Sequence, residues 1–372
     1  MATTMRQVAE AAGVSIATVS FVVNNTKPVA PETRQRIEEA MARLDFRRNM
    51  VGRALASRRT RVVALVYPAM EHKLGASGME FVTSAARTAS AAGYHLVLWP
   101  VSNDAAELTQ LVGQGLVDGV LLMEVQLEDA RVEVLRRTRT PFALIGRSAD
   151  LTGLVYVDID FERTMEQAVD HLLGLGHRRL VMVSGSQAQA GYRTYGPFVR
   201  AAAAYRRIAA ERGFDAVILE CEQSTEAGRA AAEQVLTDHA GTTALLVLNE
   251  FAAPGLVSGL LRHGLRIPDD VSVLSVLTST EASTSVEPAL TSMSSPGAEL
   301  GELGVQALLR LLEGGDALPP RLLPGTLVPG ESTGPVREGA ADPRDRAARR
   351  GRGRGDPAVV KILRRRPRAT AC

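Results

Sequence analysis

The chain is short of several things that would define other protein classes. It has only two cysteines, Cys221 and Cys372, far apart and in no motif. That excludes a disulfide framework and a cysteine zinc site, and fits a reducing compartment. No apolar run approaches membrane-spanning length, and the N-terminus lacks the apolar core of a secretory signal; both point to a cytoplasmic protein with no membrane partner. Aromatic residues make up 4% of the chain, with a single tryptophan. Trp99 falls in a predicted strand, where core packing accounts for it. Lysine occurs only at 27, 73 and 361, the other cations being arginine, a bias that we ascribe to codon usage. Phosphate loops, nucleophile elbows and dinucleotide-binding glycine patterns are missing, as is an Asp-x-Gly-x-Thr phosphate turn, so an enzyme is not expected and no cofactor or metal is implied.

What is present is an uneven charge distribution and 45% apolar residues, ample for more than one core in 372 residues. Residues 1–61 carry 11 Lys/Arg against 5 Asp/Glu, residues 62–336 carry 20 against 32, and residues 337–372 carry 12 against 4. A basic head on an acidic body is the electrostatic footprint of a nucleic-acid-binding module joined to a solvated regulatory one.

The head is the most informative stretch. Val8, Ala9 and Ala12 make one apolar stripe of a short helix. Gly13 can take the left-handed conformation of a tight helix-to-helix turn, and Ser15 is a good N-cap for a second helix. Val19, Val22 and Val23 supply that helix's packing face, leaving Ile16, Ala17, Thr18, Ser20, Phe21 and Asn24 to face outward with Ser15. A third helix starts at Pro31 and carries Ile37, Ala40, Met41 and Leu44 at helical spacing. Two helices joined by a glycine-bearing turn and supported by a third form the DNA-reading arrangement.

In the motifs Val-Ala-Glu-Ala-Ala-Gly-Val-Ser (8–15), Ala-Thr-Val-Ser (17–20), Pro-Glu-Thr-Arg (31–34) and Asn49…Leu55…Arg59-Thr60, the sequence resembles the LacI/GalR family of bacterial repressors. The match runs from residue 3 to about 333. It implies an N-terminal all-α helix-turn-helix headpiece with a hinge helix, followed by a two-lobed α/β domain of parallel sheets like a periplasmic binding protein. The implied domains are 1–47 (helix-turn-helix), 48–61 (hinge), 62–333 (effector binding and dimerisation) and 334–372 (a basic, disordered tail). A homodimer would set two headpieces on a pseudo-palindromic operator in double-stranded DNA at the nucleoid. The hinge would place Asn49, Arg53 and Arg58 against DNA and wedge Leu55 into the central minor groove, where an apolar wedge kinks the duplex.

Three positions depart from the family pattern. Phe21 stands where arginine is frequent, Ile16 where Arg, Thr or Tyr is, and Arg48 where proline precedes Asn49. With Ala17 this makes an apolar reading face. Such a face touches thymine methyls but cannot form the bidentate hydrogen bonds that arginine makes to guanine, so T·A-rich reading positions are expected, with more of the specificity in DNA shape.

Along the body, short apolar runs alternate with helical segments of 10–15 residues, as in parallel sheets with right-handed crossovers. Two such series imply two lobes. The resemblance puts chain crossings near 159–162, 291 and 320, and a small-molecule effector between the lobes, beyond the carboxyl ends of the strands. It suggests Arg200 (followed by Tyr205), Arg193, Asn249 and Glu250 as effector contacts; Glu124, at a strand end, is a further candidate. Leu277 occupies the place of a family aspartate, and residues 71–77 replace an aromatic loop. With so few aromatics, these changes argue against a simple hexose. They leave two readings: a different small molecule, such as a sugar derivative, or an effector-free dimer platform. His177 reads as a helix-end residue, and the segment Leu322–Val328 as one strand.

Overall fold

The computed structural model describes residues 3–24, 27–46, 59–69, 73–188 and 191–337. Most of the expected hinge helix, with Arg48, Asn49, Arg53, Leu55 and Arg58, lies outside the described residues, as does the tail beyond 337. The chain divides into two compact units between Arg61 and Val62.

The first unit is three helices. α1 (Met5–Ala12) starts at Thr4 in a reciprocal cap: the Gln7 amide donates to Thr4 Oγ1 at 3.4 Å, and the Thr4 amide to Gln7 Oε1 at 2.8 Å. It stops at Gly13, whose φ of 65° closes the turn. The Thr18 amide then donates to Ser15 Oγ at 3.1 Å, at the start of α2 (Ile16–Asn24). Proline opens α3 (Pro31–Arg43). Val8, Val19 and Ile37, one from each helix, are wholly buried against one another and tie the unit together.

The second unit holds two six-stranded sheets. In the first the order is β11–β5–β4–β3–β1–β2: β1 (Val62–Tyr67), β2 (His95–Pro100), β3 (Gly119–Leu122), β4 (Phe142–Ile145), β5 (Tyr156–Ile159) and β11 (Arg321–Leu323), all parallel. Its helices are α4 (Ala76–Ala91), α5 (Ala106–Gly113), α6 (Ala130–Thr138) and α12 (Gly297–Leu312). The second sheet runs β12–β10–β9–β8–β6–β7. It comprises β6 (Leu180–Gly185), β7 (Val217–Cys221), β8 (Ala244–Leu248), β9 (Ser272–Thr278), β10 (Thr291–Ser294) and antiparallel β12 (Thr326–Val328). Its helices are α7 (Phe161–Gly174), α8 (Gly196–Arg212), α9 (Thr225–Asp238), α10 (Ala253–Arg262) and the short α11 (Thr280–Thr284). Each sheet is covered on both faces, so its strands are near-continuous apolar runs; β1, β3 and β8 are buried along almost their whole length.

The chain passes between lobes three times: at β5–α7, between β10 and α12, and between β11 and β12. Two expectations are corrected. The second crossing falls after Ser294, not near 291. The run 322–328 is not one strand but two, in different sheets. Pro324 has no amide for a ladder, and the Gly325 amide turns to Thr164 Oγ1 at 2.9 Å, so pairing breaks there and the chain changes lobe. The described body also continues past 333. His177 is buried, and its Nε2 lies 3.0 Å from Ser272 Oγ and 3.1 Å from Gly334 O, while the Val336 amide donates to Leu175 O. His177 therefore fastens the C-terminal segment as well as following a helix.

Candidate functional site

On the first unit, α2 turns Val19, Val22 and Val23 inward. Its outward positions are Ser15, Ile16, Ala17, Thr18, Ser20 and Phe21, all exposed or half-buried; Asn24 lies in its last turn. Ile16 is 45% exposed, a large apolar side chain left in water at the start of the helix. Lys27 Nζ lies 5.1 Å from the centroid of the Phe21 ring, so an ammonium rides on the one aromatic of this face. Ser15 Oγ and Thr18 Oγ1 are 2.8 Å apart. The surface is apolar at its centre with a cation at one side.

In the second unit a cavity of about 170 Å³ lies between the lobes. Its lining comes from the segments that follow β1, β3, β4, β6, β7, β8 and β10 and from the ends of β5 and β9, the carboxyl ends of strands in both sheets. Phe81, Tyr192, Tyr195, Phe198 and Phe251 all line it. Tyr192 stacks on Phe198 at 5.7 Å, and Tyr195 meets both edge-on. The expectation of a cleft poor in aromatic faces thus fails. The chain has few aromatics, but folding gathers them here.

Asp158, at the end of β5, is a buried carboxylate on this wall. It accepts from Arg147 Nη1 at 2.9 Å. Burial dominates over the nearby Arg147 and Arg200, and its pKa is pushed up to about 6. Arg200 lines the cavity from α8 and donates to Arg147 O at 2.6 Å across the cleft; burial lowers its pKa. Glu124, with φ of 55°, also lines the cavity and is hydrogen-bonded by the Tyr195 hydroxyl. Behind it, wholly buried Arg131 binds Asp129 at 2.7 Å and Glu124 O at 2.8 Å, fixing the turn. Burial, more than the Glu124 charge, raises the pKa values of Tyr67 and Tyr195, which stay neutral hydroxyls. Leu277 sits in a bulge of β9 with φ of 58° and also lines the cavity. An apolar side chain is aimed inward there by a strained backbone.

The candidates read from sequence are therefore divided. Arg200 and Glu124 line the cavity, each also bonded within the protein, Arg200 to Arg147 O and Glu124 by the Tyr195 hydroxyl. Asn249 lines it, but is buried and bonded within its own lobe, accepting from the Ala252 amide at 3.1 Å. The Glu250 carboxylate accepts from the Ala76 amide at 2.7 Å. Arg193 is exposed and is not among the cavity residues, and Tyr205 is buried in the core, its hydroxyl donating to Leu180 O. Asp158, Arg147, Tyr192, Tyr195 and Phe251 were missed. A signal existed for two of them: Tyr192, Tyr195 and Phe198 recur every third residue in a chain otherwise poor in rings. None existed for the Arg147–Asp158 pair, which only the pairing of β4 and β5 brings together. Among the described residues no group of His, Cys, Asp and Glu is arranged to hold a metal, and no helix is long and apolar enough to cross a membrane.

A three-helix head of helix-turn-helix form and a two-lobed body whose cleft takes both sheets' strand ends define the class of DNA-binding regulators with a binding-protein-like body. Residues 4–49 match the profile of bacterial regulatory proteins of the lacI family, and residues 169–333 that of the periplasmic binding protein-like domain. The chain is 30% identical over 319 residues to catabolite control protein A of Streptococcus mutans, covering 83% of this chain and 91% of that one. Among solved structures it is similar to the lac repressor dimer bound to operator and the anti-inducer ONPF (TM-score 0.78, 25% identity, 90% and 100% coverage). It is also similar to the transcriptional regulator CelR–cellobiose complex (TM-score 0.65, 25% identity, 89% and 99% coverage). The chain belongs to the lacI family of bacterial regulatory proteins. It is a DNA-binding transcription regulator, not an enzyme.

Proposed function

We propose that this regulator is a repressor that acts as a homodimer on a pseudo-palindromic operator, in the cytoplasm at the nucleoid, with a compact small molecule in the inter-lobe cleft tuning its affinity for DNA. The observation that carries the effector is the cavity itself, with aromatic walls and acidic and basic side chains drawn from both lobes. Its volume of about 170 Å³ lies below the roughly 300–1,000 Å³ usual for drug-sized ligands. That favours a molecule of sugar size, with hydroxyls for Glu124, Asp158 and Arg200 and an apolar face for Tyr192, Tyr195 and Phe251. The similar CelR complex holds cellobiose. An effector bridging the lobes changes their angle and, through the hinge, the spacing of the headpieces. It shifts DNA affinity only by its differential affinity for the two states, typically about 1–3 kcal/mol.

DNA is read by Ser15, Ile16, Ala17, Thr18, Ser20, Phe21 and Asn24, with Asn49, Arg53, Leu55 and Arg58 of the hinge completing the contact. Selection from a randomised DNA pool at moderate salt tests this. A pseudo-palindrome with T·A pairs opposite α2 is expected; retention without any enriched site, or a strict G·C requirement at those positions, refutes the reading. Thermal shift with mono- and disaccharides, cellobiose among them, tests the effector. One observation favours the effector-free platform instead: Asn249 and Glu250 are bonded within the protein. A panel that leaves both melting temperature and operator affinity unmoved would select that alternative.

A further inference from the structure

We propose that Glu250 is a positioning residue that clamps the second lobe onto the first, rather than a ligand contact. The inference rests on the reading that cleft geometry governs DNA binding. Glu250 follows β8 in the second lobe, yet its carboxylate lies on the first turn of α4 in the first. Its Oε1 accepts from the Ala76 amide at 2.7 Å, and its Oε2 from the Ser77 amide at 3.4 Å. These amides have no partner within the helix, and the helix N-terminus favours an anion. The carboxylate therefore does across the cleft what a capping side chain usually does from within its own segment; α4 has no side-chain cap of its own.

The fit is made from both sides. Position 75 is glycine, and a Cβ there would stand 2.5 Å from Glu250 Oε1. Two residues earlier, Lys73 Nζ donates to Gln223 O at 2.7 Å and lies 5.6 Å from the Phe251 ring centroid. Residues 73–77 of the first lobe are thus held at residues 223 and 250–251 of the second by an ammonium from the first lobe and a carboxylate from the second. Elsewhere on the cleft the lobes meet through side-chain bonds, among them Arg200 to Arg147 O and Thr194 Oγ1 to Gln126 Oε1, and through backbone bonds, the Leu127 amide to Thr194 O at 2.7 Å and the Gly196 amide to Val125 O at 3.2 Å. If Glu250 clamps the lobes, loosening it must loosen these distant bonds too. If it only caps α4, they stay as they are.

Amide hydrogen exchange on the full chain without DNA separates these cases. Glu250→Ala and Gly75→Ala should each speed exchange at Leu127 and Gly196 by about 5-fold or more, with the double variant no faster than either single one. Glu250→Asp and Glu250→Gln should fall between; they carry the test if Gly75→Ala does not fold. Faster exchange at Ala76 and Ser77 alone, with Leu127 and Gly196 unchanged, would overturn the proposal and leave Glu250 a local cap. Affinity for the selected operator should move by about 5-fold or more in the clamp variants, at the low end of allosteric coupling; no movement would also overturn it. Failure of the wild-type chain to select any operator would refute the repressor reading instead, and the exchange data would still decide the clamp.

Discussion

Asp158 carries a pH dependence whose sign is set by burial. Its pKa is about 6 in the folded chain and near 3.9 in an unfolded one. The folded state therefore holds the proton more tightly between those values. The contribution of this group to stability is fully present below about pH 4, declines as pH rises to about 6 and is level above. Asp158→Asn should remove that decline, measured as urea midpoints at pH 4, 5, 6 and 7; an unchanged profile would reassign the proton. Lys27 is the other residue with a distinct signature. An ammonium seated on Phe21 beside α2 is expected to meet phosphate rather than a base edge. Lys27→Ala should weaken binding to all sequences about equally and reduce the salt slope by about 1, whereas Phe21 and Ile16 variants should change which bases are selected. Both effects are read from one set of binding isotherms at several salt concentrations.

Among the elements, the helices pack closely where glycine removes a side chain. Gly255 on α10 faces the start of α9, and a Cβ there would lie 1.9 Å from Thr225 O. Backbone cannot yield as a side chain end can, so Gly255→Ala should cost about 1–3 kcal/mol, seen as a lower melting temperature of the body. Most elements were legible in the sequence because their signals are local: the valines of α2, Pro31 at the start of α3, and the apolar runs of β1, β3 and β8. The split at Pro324–Gly325 was not, since a short apolar run with one proline looks the same whether its two halves pair with one sheet or two. α11 was missed for a related reason: it is only five residues long, too short for a periodicity, and is set by the Ser279 cap on the Ala282 amide at 3.1 Å.

At the level of the whole molecule, the last described hydrogen bonds of the body are made by residues 334–337. A chain stopped after Arg337 should keep the melting temperature of the full chain, while one stopped after Thr333 should lose several degrees, because Gly334 and Val336 no longer reach His177 and Leu175. Equal melting of the two truncations would show that the segment adds nothing. The sequence alone determined that the protein is a DNA-binding regulator with a helix-turn-helix head, whose second helix has an apolar outer face, and a two-lobed α/β body, because capping, turn and packing signals lie within a few residues of one another. It did not reveal what the cleft is made of. Tyr192, Phe251, Asp158 and Glu124 come from four different strand ends in two sheets, and Glu250 meets the α4 amides across 174 residues of chain. Only the packing of one lobe against the other decides which of these side chains face the cavity and which are bound by the protein.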